Sequence, residues 1–563
     1  MKRVLFAILA LMLLAGCTAP AAPSVTETAP APAQSQQTAP AVTQTPEIPY
    51  ESRFDTETVI RLTDAGMDIT GPNSLSVFAS HDIIYYEDRD TYDSGNPYGE
   101  GTDADKHTAE EAEKHYVVNI TQPGAYRVTG KLSYGQIRID LGEDAYEDEQ
   151  AVVELILDNA DITCTVAPAI LFMNVYECDG NWDEDTASPN VDTSAAGANL
   201  ILTGENTVSG SYVARIYKDK DGEKKLWKQD GAIYSYMSMN VFGPGSLLLN
   251  AENEGLDTEL HLTVNGGDIT ILSQNDGINT NEDNVSVTTV NAGTLHIVAG
   301  LGAEGDGIDS NGYLVINGGT VISAAKPMSD SGLDSDKGSF IHGGTVVAFG
   351  AAMDWAESDS EQVTMNLQFS QRQQGVLQIT REDGTEVFSF DPASDPVLKD
   401  YDRGYQGAVI STPAFRVGDS YLVSSNGVQM MYTSTDVMRG PGGFGGQMPP
   451  EGFEPPEDFG GIEGKQPLEG FGGKEPPTGF EDFGGQPPEG FGGEMPTWPE
   501  GEAPNIPGGN GPSRPEGTPP DGFGGQMPGG FGGPGSSQPA GDGQTVFYMQ
   551  DKVNFFSGLT PAQ

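Results

Sequence analysis

GLDTE at 255–259, DGINTNE at 276–282, DGIDSNG at 306–312 and SGLDSDKG at 331–338 repeat one phrase four times with small changes. Their glycines Gly255, Gly277, Gly307 and Gly332 are 22, 30 and 25 residues apart. Between them lie LTVNGGDITI, VTTVNAGTLHIV, YLVINGGTVIS and FIHGGTVVAFG, in which Gly266, Ala292, Gly318 and Gly343 recur at 26, 26 and 25 residues. Two interleaved landmarks on one shared period are the mark of a solenoid. Short β-branched runs, such as Leu262 to Val264 and Thr320 to Ile322, alternate with Asn-Gly or Asp-Gly corners, and no helical apolar spacing intervenes. The expected unit is a coil of three short strands and three turns.

Stacked coils of this kind form a parallel β-helix, an all-β solenoid in which each strand pairs with its equivalent one period away, about 4.8 Å along the axis. Residues at the same place in the repeat then lie in columns. Glu254, Asp276 and Asp306 fall in one column before the corner glycine, and Asp257, Asn279, Asp309 and Asp334 in a second column after it. Carboxylates one strand spacing apart repel strongly. Such an arrangement is either fully solvated or filled with cations.

At the start of the chain, Met1-Lys2-Arg3 and the apolar run Val4 to Leu14 read as a signal peptide, the run being too short to span a bilayer. It ends in Leu14-Ala15-Gly16-Cys17, which looks like a bacterial lipobox with Cys17 as the lipidated residue. Residues 18–49 are almost entirely Ala, Pro, Thr, Gln and Ser, the composition of a disordered tether. The reading is of an extracytoplasmic protein anchored to the cell membrane by lipid alone. With 82 acidic against 28 basic residues and a formal net charge of −54, the chain is not a nucleic-acid binder, and its surface attracts cations. Beyond Cys17, only Cys164 and Cys178 remain, and the sequence leaves open whether they pair or stay reduced.

The text from Glu51 to about Gly130 is less regular, and Asp88 to Glu113 reads as a loop. Strand-like phrases then lead into the repeats, which occupy the 50–360 segment as a whole. RIYKDKDGEKKLWKQDG at 215–231 is the one locally basic patch, a charged hairpin or loop. After Trp355 the repeat stops, and residues 361–439 read as a small antiparallel cap with an Asp383-Gly384 hairpin signal. Residues 440–543 are Gly, Pro and Glu with Phe-Gly-Gly recurring at Phe444, Phe459, Phe471, Phe483, Phe491, Phe523 and Phe531, which cannot form a core and reads as disordered. Residues 544–563 are strand-like again, as though the last cap strand returned after an insertion.

The order of GAYRVTGKLSYGQIRID, ELILDNADIT, LILTGENTVSG, the VNGG and DGID-like repeats, GVLQITREDGTEVFSF and STPAFRVGDSYLV resembles a family of bacterial exported carbohydrate-binding proteins across roughly 110 to 433. The resemblance implies a right-handed parallel β-helix shaped like that of pectate lyases, with bound calcium and affinity for cellulose and acidic sugars. Glu254 and Ser331 stand where that family usually has Asp before the glycine, and Asn279 where it has a second Asp.

Three function classes follow. Carbohydrate binding without cleavage is the main reading, since a catalytic site occurs once whereas these acids recur in every coil. A lyase acting on polyuronate needs calcium and a strong base, typically Arg, yet residues 251–350 contain no Arg and only Lys326 and Lys337. An inverting glycosidase would need converging carboxylates, and a structural surface or adhesion protein would need neither. The candidate Ca2+ ligands are Asp276, Asp306, Asp309, Asp334 and Asp336, with Asn279, Asn281 and Asn311 as neutral partners, because Ca2+ takes about six to eight hard oxygens. Trp227, Tyr234, Tyr236 and Trp355 are candidate platforms for stacking on sugar rings. The expected partner is an acidic or cellulosic polysaccharide, bound by a monomer.

Overall fold

The computed structural model describes residues 48–86, 104–220, 223–327, 329–351, 354–435 and 543–562. All of these lie in the unit Val42–Gln563. Cys17, the tether up to residue 47 and the Phe-Gly-Gly segment up to residue 542 lie outside the described residues. The protein is almost all β, with 50% of residues in strands and 4% in helices.

Among the described residues, three sets of parallel strands run through the repeats. The first pairs Tyr116–Ile120, Gly135–Asp140, Ile170–Asn174, Gly231–Ser235, Glu254–Thr258, Ile278–Thr280, Ile308–Ser310 and Asp334–Ser335 in succession. The second runs from Glu57–Thr63 through Gly124–Leu132, Val153–Cys164, Ala198–Thr203, Met239–Phe242, Leu262–Val264, Val287–Val290 and Tyr313–Ile316 to Gly338–Ile341. The third leaves Val153–Cys164 through Glu205–Gly210, Ser246–Ala251, Asp268–Ser273, Thr294–Val298 and Thr320–Ala324 to Thr345–Gly350. Leu262 lies opposite Thr288 and Ile269 opposite Leu295, so the register step equals the sequence period.

Alternation along each strand sends the aliphatic residues inward. Leu256, Ile278 and Ile308 face one another across successive repeats and are fully buried. They join an apolar core that runs from Ile60 to Val409. At the turn after the second set of strands, Asn291 Nδ2 donates to Asn265 Oδ1 (2.9 Å) and Asn317 Nδ2 to Asn291 Oδ1 (2.8 Å), a column of side-chain amides. The same turn explains why Ala292 can replace the glycines at 266, 318 and 343. The left-handed backbone falls one residue later, at Gly293 with φ +87°, where a side chain would be strained.

Residues 48–86 and 104–115 are more ordered than their sequence suggests. Glu57–Thr63 folds back on Gly66–Thr70 and also pairs in parallel with Gly124–Leu132, its Ile60 and Leu62 facing the core. Within the stretch read as a loop, Thr108 caps a one-turn helix, Ala109–Ala112, with Glu111 completing a reciprocal capping box. The basic insert is an antiparallel hairpin, Val213–Lys220 with Glu223–Gln229.

Beyond the repeats the sheets become mixed. Thr345–Gly350 pairs antiparallel with Tyr405–Ser411, which pairs antiparallel with Thr364–Gln373, and Val553–Pro561 adds in parallel to the last of these. A second apolar core collects Phe349, Phe369, Tyr405, Tyr432, Phe547 and Phe556. Phe349 stacks on Tyr405 with ring centroids 4.4 Å apart. Cys164 and Cys178 are both free thiols, and burial pushes Cys164 up to about 12.

Candidate functional site

The acids of the repeats sit on the first set of strands or, like Asp276 and Asp306, two residues before them, and the glycine beside each of them is there because the next repeat is too close for a side chain. A Cβ on Gly277 would lie 2.3 Å from Ile297 Cγ2 and 2.5 Å from the Gly307 carbonyl oxygen. The D-G pair is thus a close-approach signal: the glycine lets neighbouring backbones stack, and the acid before it reaches along the stack. Asp276 Oδ1 accepts from the Asp306 N–H (2.6 Å), and Asp306 Oδ1 accepts from the Ser331 N–H. Each of these carboxylates ties one repeat to the next.

The second column is in register: Asp257 lies opposite Asn279, Asn279 opposite Asp309, and Asp309 opposite Asp334. Because the alternate residues point into the core, these four side chains share the other face of the sheet. Asp257 is fully buried, and Glu254, Asp276 and Asn279 are buried as well; Asp306, Asp309 and Asp334 are half-buried. Asp336 is exposed at the edge, where its N–H bonds the Ser310 carbonyl (3.1 Å). Asn311 bonds the Asn281 carbonyl (2.8 Å) and Asp283 (3.3 Å) instead of turning into the column.

Burial first, and the neighbouring like charges second, raise the acids of the column. Asp306 is pushed up to about 8 by desolvation and by Asp334 and Asp309. Asp309 rises to about 7 through desolvation, Asp334 and Glu254. Glu254 also rises to about 7, through desolvation and Asp230. Asp276 and Asp257 are raised strongly for the same reasons, and the more open Asp336 is raised as well. A carboxylate in this setting holds a proton or needs a cation. Among the described residues, Glu254 Oε2, Asp257 Oδ2 and Asn279 Oδ1 are buried with no hydrogen-bond partner, which is costly unless something else satisfies them.

Three groups at this site carried no repeat signal. Asp354 follows the last repeat, hydrogen-bonds Asp334 and is pushed up to about 9 by burial and that neighbour. Its position is outside any period, so no spacing marked it. Lys228 and Asp230, at the base of the basic hairpin, bring an ion pair of 3.0 Å to the opposite end of the column. Their sequence showed the charge of the insert but not where its base lands.

The aromatic candidates are placed differently from the expectation. Tyr234 is fully buried with its hydroxyl donating to Glu259, and Trp355 is 7% exposed, so neither ring is open to stack on a sugar. Tyr236 is half-buried, its ring edge-on to Tyr234 and its hydroxyl donating to the Lys228 carbonyl (3.2 Å). All three are held by packing: Tyr234 and Trp355 are buried, and Tyr236 is half-buried against the Tyr234 ring. The Trp227 side chain lies outside the described residues. Among the described residues, no group of three or more Asp, Glu, His or Cys side chains is gathered so as to hold a metal by itself.

Residues 114–380, just under half of the chain, match the model of a family described as carbohydrate-binding domain-containing protein. A carbohydrate-binding domain-containing protein of Acetivibrio thermocellus is 29% identical over 155 residues, which is 27% of this chain and 44% of that protein, so the match spans less than half of the relative. A solved polysaccharide lyase-like protein from C. thermocellum, described as a gadolinium derivative, aligns at 21% identity over 52% of this chain and 94% of that one, with a TM-score of 0.30.

Proposed function

We propose that this chain is a lipid-anchored, extracytoplasmic protein that binds acidic or cellulosic polysaccharide through Ca2+ without cleaving it. The carbohydrate-binding role has the support of the family match over 114–380. In this reading the three parallel sets are the faces of one right-handed parallel β-helix, closed at its C-terminal end by the antiparallel strands of 361–439 and the returning 544–563 strand. Lipid on Cys17 and the 18–49 tether hold it at the membrane, and it acts as a monomer.

The observation that carries the reading is the in-register stack of poorly solvated carboxylates with unpartnered oxygens among them. Asp276, Asp306, Asp309 and Asp334 with Asn279 would hold Ca2+, each ion taking one or two carboxylates, Asn and backbone carbonyl oxygens, and water or a ligand carboxylate. This donor set suits a hard cation that accepts irregular oxygen shells. Bound calcium supplies open positions to a polyuronate carboxylate, and the chain's part is to fix the spacing of those positions at one strand step. Asp336 and Asn311, at the edge, would meet the ligand through water.

The test is mobility in gels containing polygalacturonate, with calcium or with EDTA, alongside retention on cellulose. Calcium-dependent retardation is expected; equal mobility in every gel would leave only a surface spacer. A second reading, polyuronate cleavage, is favoured by one observation: Asp309 at about 7 and Asp306 at about 8 are in the range of a general acid. Release of unsaturated or reducing product from polygalacturonate would establish it.

A further inference from the structure

The hairpin between Glu205–Gly210 and Gly231–Ser235 belongs to no repeat, and its base delivers one side chain to the acid column. Lys228 Nζ lies 3.0 Å from Asp230 Oδ2 and donates to Asn281 Oδ1 (2.7 Å). Asn281 in turn donates through Nδ2 to Asp257 Oδ1 (2.6 Å), which links the ammonium to a carboxylate that water does not reach. Both members of the ion pair are largely buried, at 16% and 14% exposure. The hairpin base is itself fixed: Gln229 is fully buried and donates to the Tyr236 hydroxyl (3.3 Å), and that hydroxyl donates to the Lys228 carbonyl. A lysine ammonium is a compact point charge on a flexible stem, the side chain best able to stand in for a free cation.

We propose that Lys228 is the built-in counter-ion of the N-terminal end of the acid column, occupying the place of an external cation among Asp230, Glu254 and Asp257 and closing that end to divalent ions. Cation binding then begins at the repeat that carries Asp276. Glu254 Oε2, Asp257 Oδ2 and Asn279 Oδ1, in the first two repeats of the column, are buried without a hydrogen-bond partner. Glu254 in place of an Asp fits this arrangement, since its longer arm brings a carboxylate under the influence of the same ammonium. The restriction of divalent ions to the later repeats rests on the calcium reading above, whereas the role of Lys228 rests on its own contacts.

The experiment is calorimetric titration of the full chain with CaCl2, together with terbium emission sensitised by tyrosine, for wild type, Lys228→Met and Lys228→Arg. Lys228→Met is expected to bind one more ion per chain than wild type, with increased terbium emission because Tyr234 and Tyr236 adjoin the site. Lys228→Arg keeps the charge and should match wild type. A folded Lys228→Met with unchanged stoichiometry overturns the proposal. Should Lys228→Met unfold in EDTA, recovery of its melting transition by CaCl2 supports the proposal, and failure of CaCl2 to recover it overturns it. A wild type that binds no calcium would sink the calcium reading of the later repeats, while a gained site in Lys228→Met would still establish Lys228 as counter-ion.

Discussion

The two ends of the acid column meet the same electrostatic problem in opposite ways. At the N-terminal end, Glu254 and Asp257 are buried, and a lysine from outside the repeat is brought to them through Asn281. At the C-terminal end, the residue that arrives from outside the repeat is another acid, Asp354, which hydrogen-bonds Asp334 and is pushed up to about 9 by burial and by that neighbour. One end is met by an ammonium and the other by a second carboxyl group hydrogen-bonded to the first. A stack of carboxylates tolerates burial only where each charge has a partner of one kind or another. Between the two ends lie Asp276, Asp306 and Asp309, where the Ca2+ proposed above would sit.

This contrast is open to attack at several points. The largest effect expected is that of pH in divalent-free buffer. Asp306 at about 8, and Asp309 and Glu254 at about 7, stand well above an unfolded acid at about 4, so the folded chain carries more protons than the unfolded one between those values. Stability therefore falls as pH rises from about 4 to about 8, by several kcal/mol, and is flat below that window. Calcium should raise Tm strongly at pH 8 and little at pH 5; a Tm independent of both would remove the column as a charged site.

Next in size is the loss of the ammonium. Lys228→Met leaves Asp230 without its ammonium and Asn281 Oδ1 without its donor, and should cost about 3 kcal/mol in EDTA at pH 8, measured by urea denaturation. Between the two ends, Gly277→Ala places a methyl group 2.3 Å from Ile297 Cγ2 and against the Gly307 carbonyl. Because the obstacle includes backbone, the repeat must shift, at about 2 kcal/mol, with loss of cation affinity at Asp276 and Asp306 but not at the Lys228 end. The smallest effect belongs to the opposite end. Asp354→Asn removes a competing acid and should stabilise the chain by about 1 kcal/mol at pH 8 while leaving it unchanged at pH 5. Destabilisation at pH 8 would show that the hydrogen bond to Asp334 outweighs the cost of burying a second acid.

Much of the column is legible in the sequence because it repeats. A spacing of 26 residues between Leu262 and Thr288 survives as a pairing in space, since stacked strands carry sequence period directly into register. For the same reason Asp257, Asn279, Asp309 and Asp334 fall in one column from their positions after the glycines alone. What does not repeat is not legible. The strand at Glu57–Thr63 has no partner in the periodic text, and its pairing with Gly124–Leu132 spans a long separation that no local pattern records. The aromatic residues depart from expectation because sequence gives no sign of which face of a strand a Tyr will take: Tyr234 is in register with Asp257, yet its ring is wholly enclosed.

The sequence by itself determined the strand class, the repeat length, the two acid columns and the excess of negative charge, all properties carried by composition and local period. The tertiary structure alone decided how deeply each acid is buried, that Asp354 joins the column after the repeats end, and that Lys228 reaches Asp257 through Asn281. Burial and charge neighbourhood depend on chain segments that meet only when the repeats stack. A carboxyl group titrates according to those neighbours, and no spacing along the chain can state them.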